Sequence, residues 1–124
     1  MEESKLEVLL LGRHLDLLNR VLPTLNHLPL RIDGATTDDQ AFAFLNRNRY
    51  DVISIGGGIE ATSRTRIKDI LIKNMPDIQV IVVPRPDAES FDGLAKQPIQ
   101  MEGPDELALI LSGIVERRNK ETRV

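Results

Sequence analysis

The stretch Tyr50-Asp51-Val52-Ile53-Ser54-Ile55-Gly56-Gly57-Gly58-Ile59-Glu60 decides how this chain is read. Val52, Ile53 and Ile55 form a short apolar run rich in β-branched residues, too short for an ordinary helix. Such a run reads as a strand buried on both faces, the central strand of a parallel sheet. Three glycines end it, and a helical pattern follows. In an open α/β sheet, the loop at the carboxyl end of a central strand is where ligands bind. This loop offers only backbone there, with no acid, nucleophile or metal ligand.

Upstream, 6–11 (Leu-Glu-Val-Leu-Leu-Leu) reads as strand 1, and Gly12-Arg13-His14 as the turn after it. Leu15, Leu18, Leu22 and Leu25 recur at helical spacing, with Leu17 and Val21 widening the stripe. Pro23 predicts that this helix kinks there or else ends and restarts, with the kink favoured, because proline removes a hydrogen bond and clashes with the preceding turn. Leu30-Arg31-Ile32-Asp33 alternates like an edge strand with one wet face. Thr37-Asp38-Asp39-Gln40 has the capping-box form and starts helix 2 at Asp38, with Ala41, Phe44 and Leu45 inward.

Downstream, Ile67, Ile70, Leu71 and Asn74 mark helix 3, which stops before Pro76. Residues 78–83 read as strand 4, ended by Pro84-Arg85-Pro86-Asp87. The segment 88–97 reads as a short fourth helix carrying Phe91 and Leu94 inward, although Gly93 weakens it. Residues 98–101 give a brief fifth strand. Pro104-Asp105-Glu106 opens a fifth helix, with proline in its first turn and acids near its positive end. Leu107, Ile110, Leu111 and Ile114 are its core stripe, and 116–124 is a charged helix end or tail. Five strand signals alternating with five helix signals predict a parallel sheet with helices on both faces, in the order 2-1-3-4-5.

At 124 residues the whole chain, 1–124, fits one domain. A net charge of −3 argues against a general nucleic-acid binder. The absence of cysteine excludes disulfides, thiolate metal sites and thiol nucleophiles. Residues 1–5 are acidic and polar, unlike a secretory signal, and no apolar run reaches membrane-spanning length, so a cytoplasmic location is expected. Phe42, Phe44, Tyr50 and Phe91 are the only aromatic rings, too few for a base-stacking platform.

The pattern resembles the receiver domain of bacterial two-component response regulators, a three-layer, flavodoxin-like (CheY-like) fold. The resemblance is carried by Val8-Leu9-Leu10-Leu11, by Arg49-Tyr50-Asp51-Val52-Ile53, by Met75-Pro76-Asp77-Ile78-Gln79-Val80-Ile81-Val82-Val83, and by Pro104-Asp105-Glu106-Leu107. These are frame residues, so they speak to fold more than to activity. The family holds magnesium with an acidic pair after strand 1; Gly12 and Arg13 stand there. Its phospho-accepting aspartate matches Gly56, counting from Asp51. Its serine or threonine after strand 4 matches Pro84, and its lysine before a proline matches Gly103. Phosphoryl transfer needs a nucleophilic oxygen and a cation to neutralise developing charge, and Arg13 would repel magnesium.

The resemblance therefore implies a receiver-like signalling domain that takes no phosphoryl group, is not an enzyme, needs no cofactor and works by protein–protein interaction. The implied contact surface, for a signalling partner or a second copy, is the face of helix 4, strand 5 and helix 5. The chain ends soon after helix 5: it stands alone or was cut from a longer protein. The alternative is a small-ligand sensor, in which Gly56, Gly57 and Gly58 present N–H groups to a phosphate or nucleotide, helped by Arg13 and Arg85. Against it, the glycine spacing matches neither a dinucleotide fingerprint nor a P-loop, and these arginines read better as solvated loop charges. Arg64, Arg66 and Lys68 read as a solvated helix face. His14 and His27 read as structural, without a second metal ligand. Glu60, Asp87 and Glu102 are the acids near the cleft, in separate loops, and form no evident catalytic set. Ser54 has no nucleophile motif around it.

Overall fold

The computed structural model describes residues 5–122. Its sheet has five strands, all parallel, in the order β2-β1-β3-β4-β5. They are β1 (Leu6–Leu11), β2 (Leu30–Ala35), β3 (Val52–Ile55), β4 (Gln79–Val82) and β5 (Ile99–Gln100). The helices are α1 (Leu15–Val21), α2 (Asp38–Arg47), α3 (Ala61–Asn74) and α4 (Leu107–Thr122). The central-strand reading of 52–55 holds: all four β3 residues are buried, flanked by β1 and β4.

Period-two alternation sends successive side chains to opposite faces, which divides the core in two. Leu9, Leu11, Ile53, Ile55, Val80 and Val82 pack under α2 and α3, with Ala41, Leu45, Ile67 and Leu71. Val8, Leu10, Val52 and Ile81 pack under α1 and α4, with Leu107, Leu111 and Val115. This is why β1 and β3 are apolar apart from Glu7 and Ser54, a property of parallel strands covered on both sides.

Several boundaries carry a physical correction. Helix 1 does not kink at Pro23; α1 ends at Val21 and tightens into a 3₁₀ turn, Leu22–Leu25, with proline in its first positions. There the missing N–H costs nothing. Helix 2 starts at Asp38 as expected, with the Gln40 N–H donating to Thr37 Oγ1 at 3.2 Å. The reciprocal Gln40 side chain accepts from the N–H of Thr36, one residue earlier than the usual box. Pro104–Glu106 forms a 3₁₀ turn, and α4 begins after it.

The fourth helix is absent. The chain between β4 and β5 runs through turns and bends, so the expected fifth helix is α4. Gly93 adopts φ 97°, a left-handed conformation that breaks a right-handed helix. Phe91 is the anchor, 2% exposed in the α2–α3 core. The Ala95 N–H donates to the Pro76 carbonyl at 2.9 Å, and Lys68 reaches Glu89 at 3.6 Å. Of the charged tail 116–124, residues up to 122 continue α4, while 123–124, like 1–4, lie outside the described residues.

Candidate functional site

Parallel register brings the carboxyl ends of the strands to one edge, where the backbone ladder runs on beyond them. The Gly12 N–H donates to Ala35 O (3.1 Å), Gly56 to Leu11 O (2.9 Å), Val83 to Ile55 O (3.0 Å) and Met101 to Val82 O (2.9 Å). Gly12, Gly56, Pro84 and Gly103 therefore all stand just beyond β1, β3, β4 and β5. None of them contributes a polar side chain. At Gly56 a Cβ would lie 3.1 Å from the Leu11 carbonyl oxygen, so the strand ends approach more closely there than a side chain allows without adjustment.

Arg13 does not face the glycines as a free cation. Its guanidinium takes Glu60 with both donors, Nε to Oε1 at 3.2 Å and Nη2 to Oε2 at 2.7 Å. Nη2 also reaches Asp38 Oδ1 at 2.6 Å and Ser63 Oγ at 3.1 Å, and Nη1 donates to Thr36 O at 3.3 Å. Ser63, 3% exposed, donates to Asp38 Oδ2 at 2.7 Å. The loops after β1, β2 and β3 are thus tied through one guanidinium. The bond from Arg13 is the main reason the Glu60 carboxyl falls to about 2. At Asp38, desolvation works upward, but hydrogen bonds from Ser63 and Arg13 outweigh it and hold the carboxyl below its ordinary value. In return, the bond to Glu60 leads the effects that raise Arg13.

Arg85 is likewise occupied. It holds Asp87 bidentately, at 2.9 and 3.0 Å, and donates to Gly57 O at 3.2 Å. That pairing keeps Asp87 below the usual carboxylate range. Arg64 overturns the expectation of a solvated face: it is 2% exposed and donates to Ile59 O at 2.7 Å and Gly56 O at 3.0 Å. Burial lowers its pKa, because desolvation disfavours the charged form. The glycine loop therefore turns three carbonyls, those of Gly56, Gly57 and Ile59, toward guanidinium groups. Of the other basic residues on α3, Arg66 stacks on Phe42 at 4.3 Å and Lys68 is half-buried.

Among the described residues no three His, Asp or Glu side chains converge on a possible metal site. His14 borders a small cavity on the α1–α4 face, which Ser54 also lines. Of the acids near the cleft, Glu60 and Asp87 each pair with an arginine, and Glu102 stays exposed on the next loop. No candidate acid–base pair is assembled from them.

Neither a protein-family model nor a curated protein sequence matches this chain. Solved structures do. A CheY-like response regulator receiver domain protein from Methanospirillum hungatei JF-1 superposes with a TM-score of 0.71 at 14% identity, covering 95% of this chain and 99% of that one. The signal receiver domain of an HD domain-containing protein from Pseudomonas fluorescens Pf-5 gives 0.67 at 20% identity, over 100% and 97%. A response regulator from Thermotoga maritima gives 0.65 at 19%, over 90% and 98%.

The chain has the receiver-domain fold.

Within that receiver fold, reading the sequence placed Gly12, Arg13, Gly56, Pro84 and Gly103 at the edge where the strands end, but it missed Asp38, Ser63 and Arg64. Arg64 had a signal: it precedes Ile67 and Leu71 at helical spacing, on the stripe that α3 buries. Asp38 and Ser63 had none, because their meeting depends on how the loops cross. The described residues contain no helix long and apolar enough to cross a membrane.

Proposed function

We propose that this chain is a receiver-like signalling domain that takes no phosphoryl group and acts through protein contacts. One observation carries the reading. At the strand edge where receivers do their chemistry stands Gly56, and in the turn after β1 the guanidinium of Arg13 is already bound to Asp38 and Glu60. Phosphoryl transfer to the protein would need an oxygen nucleophile and, for magnesium, one or two carboxylates. Here Asp38 and Glu60 already hold an internal cation.

The contact surface of this reading is the face of β5 and α4 with the irregular segment 88–97 in place of a fourth helix. Leu109 on α4 is 79% exposed, the most exposed large apolar side chain of the described residues. The anion-sensor reading of Gly56, Gly57 and Gly58 loses its helpers, since Arg13 and Arg85 are both spent on carboxylates.

Incubation with acetyl phosphate and magnesium, followed by intact-mass measurement, tests the first half. No mass gain is expected, and a stoichiometric, hydroxylamine-labile adduct would refute it. Sedimentation of the protein and its Leu109→Asp variant tests self-association through α4. A dimer dissolved by the substitution supports a homodimeric contact, and an unchanged dimer moves the contact elsewhere.

A further inference from the structure

Ser54 occupies a core position that its chemistry does not suit. It lies on the central strand, between Leu10 of β1 and Ile81 of β4, and is 4% exposed. Its neighbours Ile53 and Ile55 face the α2–α3 core, so alternation turns Ser54 to the α1–α4 side. Among the described residues its hydroxyl makes no hydrogen bond. A buried hydroxyl without a partner is costly, yet no fully enclosed side-chain polar atom of the described residues lacks a partner. The Ser54 hydroxyl therefore meets open space, and that space is the cavity of about 80 Å³ on this face.

The cavity sits between α1 and the start of α4. Its walls are hydrocarbon from Leu18, Met101 and Leu107, its inner end is Ser54, and its mouth is at Leu17 and His14. Gly12 and Gly56 keep the edge clear; a Cβ on Gly12 would touch nothing within 4 Å. No arginine, lysine or carboxylate lines it. About 10–15 Å³ suffices for one water, and about 150 Å³ of apolar space holds benzene. The size lies between, and Leu17, 38% exposed, leaves the mouth open.

We propose that this cavity is a binding site for a small uncharged ligand: a short hydrocarbon with one hydrogen-bonding end, a hydroxyl or carbonyl, seated on Ser54. The charge on the ligand is what separates this site from the glycine loop, because His14 at the mouth is the one lining side chain able to carry charge and the walls around Ser54 carry none. Hydrocarbon contact supplies the affinity and the Ser54 hydroxyl fixes the orientation, the usual division of labour in ligand pockets.

Amide chemical shifts of the whole protein, titrated with 1-butanol and separately with butyrate, test this. The expected result is a saturable response to 1-butanol at Ser54, Gly56 and Val83, with none to butyrate. Ser54→Ala should weaken 1-butanol by about two- to tenfold, the worth of one hydrogen bond. A linear, unsaturated response would mean that water alone satisfies the serine and would overturn the proposal. So would equal binding of butyrate, or an unchanged affinity in Ser54→Ala.

Discussion

Arg13 and Glu60, 47 positions apart, meet in a two-pronged contact with the closer pair of atoms at 2.7 Å. A guanidinium matches a carboxylate through two parallel donors, a geometry no lysine reproduces. The contact joins the turn after β1 to the start of α3, and Asp38 and Ser63 join it to the start of α2. The edge thus carries its own fixed cation, with Asp38 and Glu60 arranged around it.

The pH dependence of that contact has a definite sign. Glu60 titrates at about 2 in the folded chain and near 4.3 when unfolded. A depressed carboxyl stabilises the fold above its unfolded value, so the contribution is complete above about pH 4.3 and is lost as pH falls through about 2. Arg13→Gln should return Glu60 toward its ordinary value and flatten acid denaturation over this window. Carboxyl-detected NMR titration of the two proteins measures it; an unshifted Glu60 in Arg13→Gln would refute the pairing.

Arg64 should matter more to stability than its sequence suggests. Replacing it by Met keeps the hydrocarbon stem but leaves the Ile59 carbonyl without its side-chain donor and the Gly56 carbonyl with only the Ile59 N–H. The expected cost is about 2–3 kcal/mol in urea unfolding, with faster amide exchange at Gly57 and Ile59. Lys at this position should recover less than half of that, having no planar fork. A cost within about 0.5 kcal/mol, the range of ordinary surface substitutions, would show that the buried guanidinium is not holding the loop.

The frame was legible because it rests on local pattern. The bounds of β1 coincide with the apolar run 6–11, β3 lies within the run before the glycines, and α3 stops before Pro76 as read. These signals come from burial on two faces and from backbone chemistry, which neighbouring residues encode. The segment 88–97 misled because Phe91 and Leu94 have helical spacing, while the left-handed Gly93 and the anchoring of Phe91 are settled by tertiary packing. The arginines were legible as loop charges but not as paired ones. Glu60 and Asp38 reach Arg13 only once the sheet has aligned three loops.

Tyr50 gives an independent check on the amino-end packing. Its hydroxyl donates to Asp33 Oδ2 at 2.6 Å and accepts from Asn48 at 3.2 Å. Burial, then the bond to Asp33, pushes it up to about 12. A raised phenol stabilises the fold below its unfolded value near 10, and that contribution is lost as pH rises through about 12. As the only tyrosine, it can be followed by ultraviolet absorbance. Ionisation near pH 10 in the folded protein would contradict the buried contact.

Phe91 is expected to hold the whole irregular segment in place. Phe91→Ala removes a fully buried ring and should cost about 3–5 kcal/mol. Because few backbone hydrogen bonds tie 84–98 to the sheet, the loss should appear locally first. Amide exchange should accelerate at Ala88 and Ala95 before it does in β1 or β3. Uniform acceleration across the sheet would mean that the segment is not a separate cooperative unit.

Gly56→Asp is the decisive substitution for the functional reading, since it supplies the one oxygen that the strand edge lacks. Two physical obstacles oppose a gain of phosphorylation. The new Cβ starts 3.1 Å from the Leu11 carbonyl oxygen, so β1 or the loop must give way. Overpacking of this kind costs about 1–3 kcal/mol, read as a melting temperature lower by several degrees. The second obstacle is electrostatic: magnesium would have to enter beside Arg13, whose acids are already engaged. Gly56→Asp alone should therefore remain unmodified by acetyl phosphate and magnesium. Adding Gly12→Asp and Arg13→Asp removes the guanidinium, supplies the acidic pair and releases Asp38 and Glu60. Magnesium should then raise the melting temperature of the triple variant, because a ligand stabilises the state that binds it, while leaving the parent protein unchanged. If Gly56→Asp alone were phosphorylated, the Arg13 cluster would not be a barrier, and the proposed inertness would rest on the missing oxygen only.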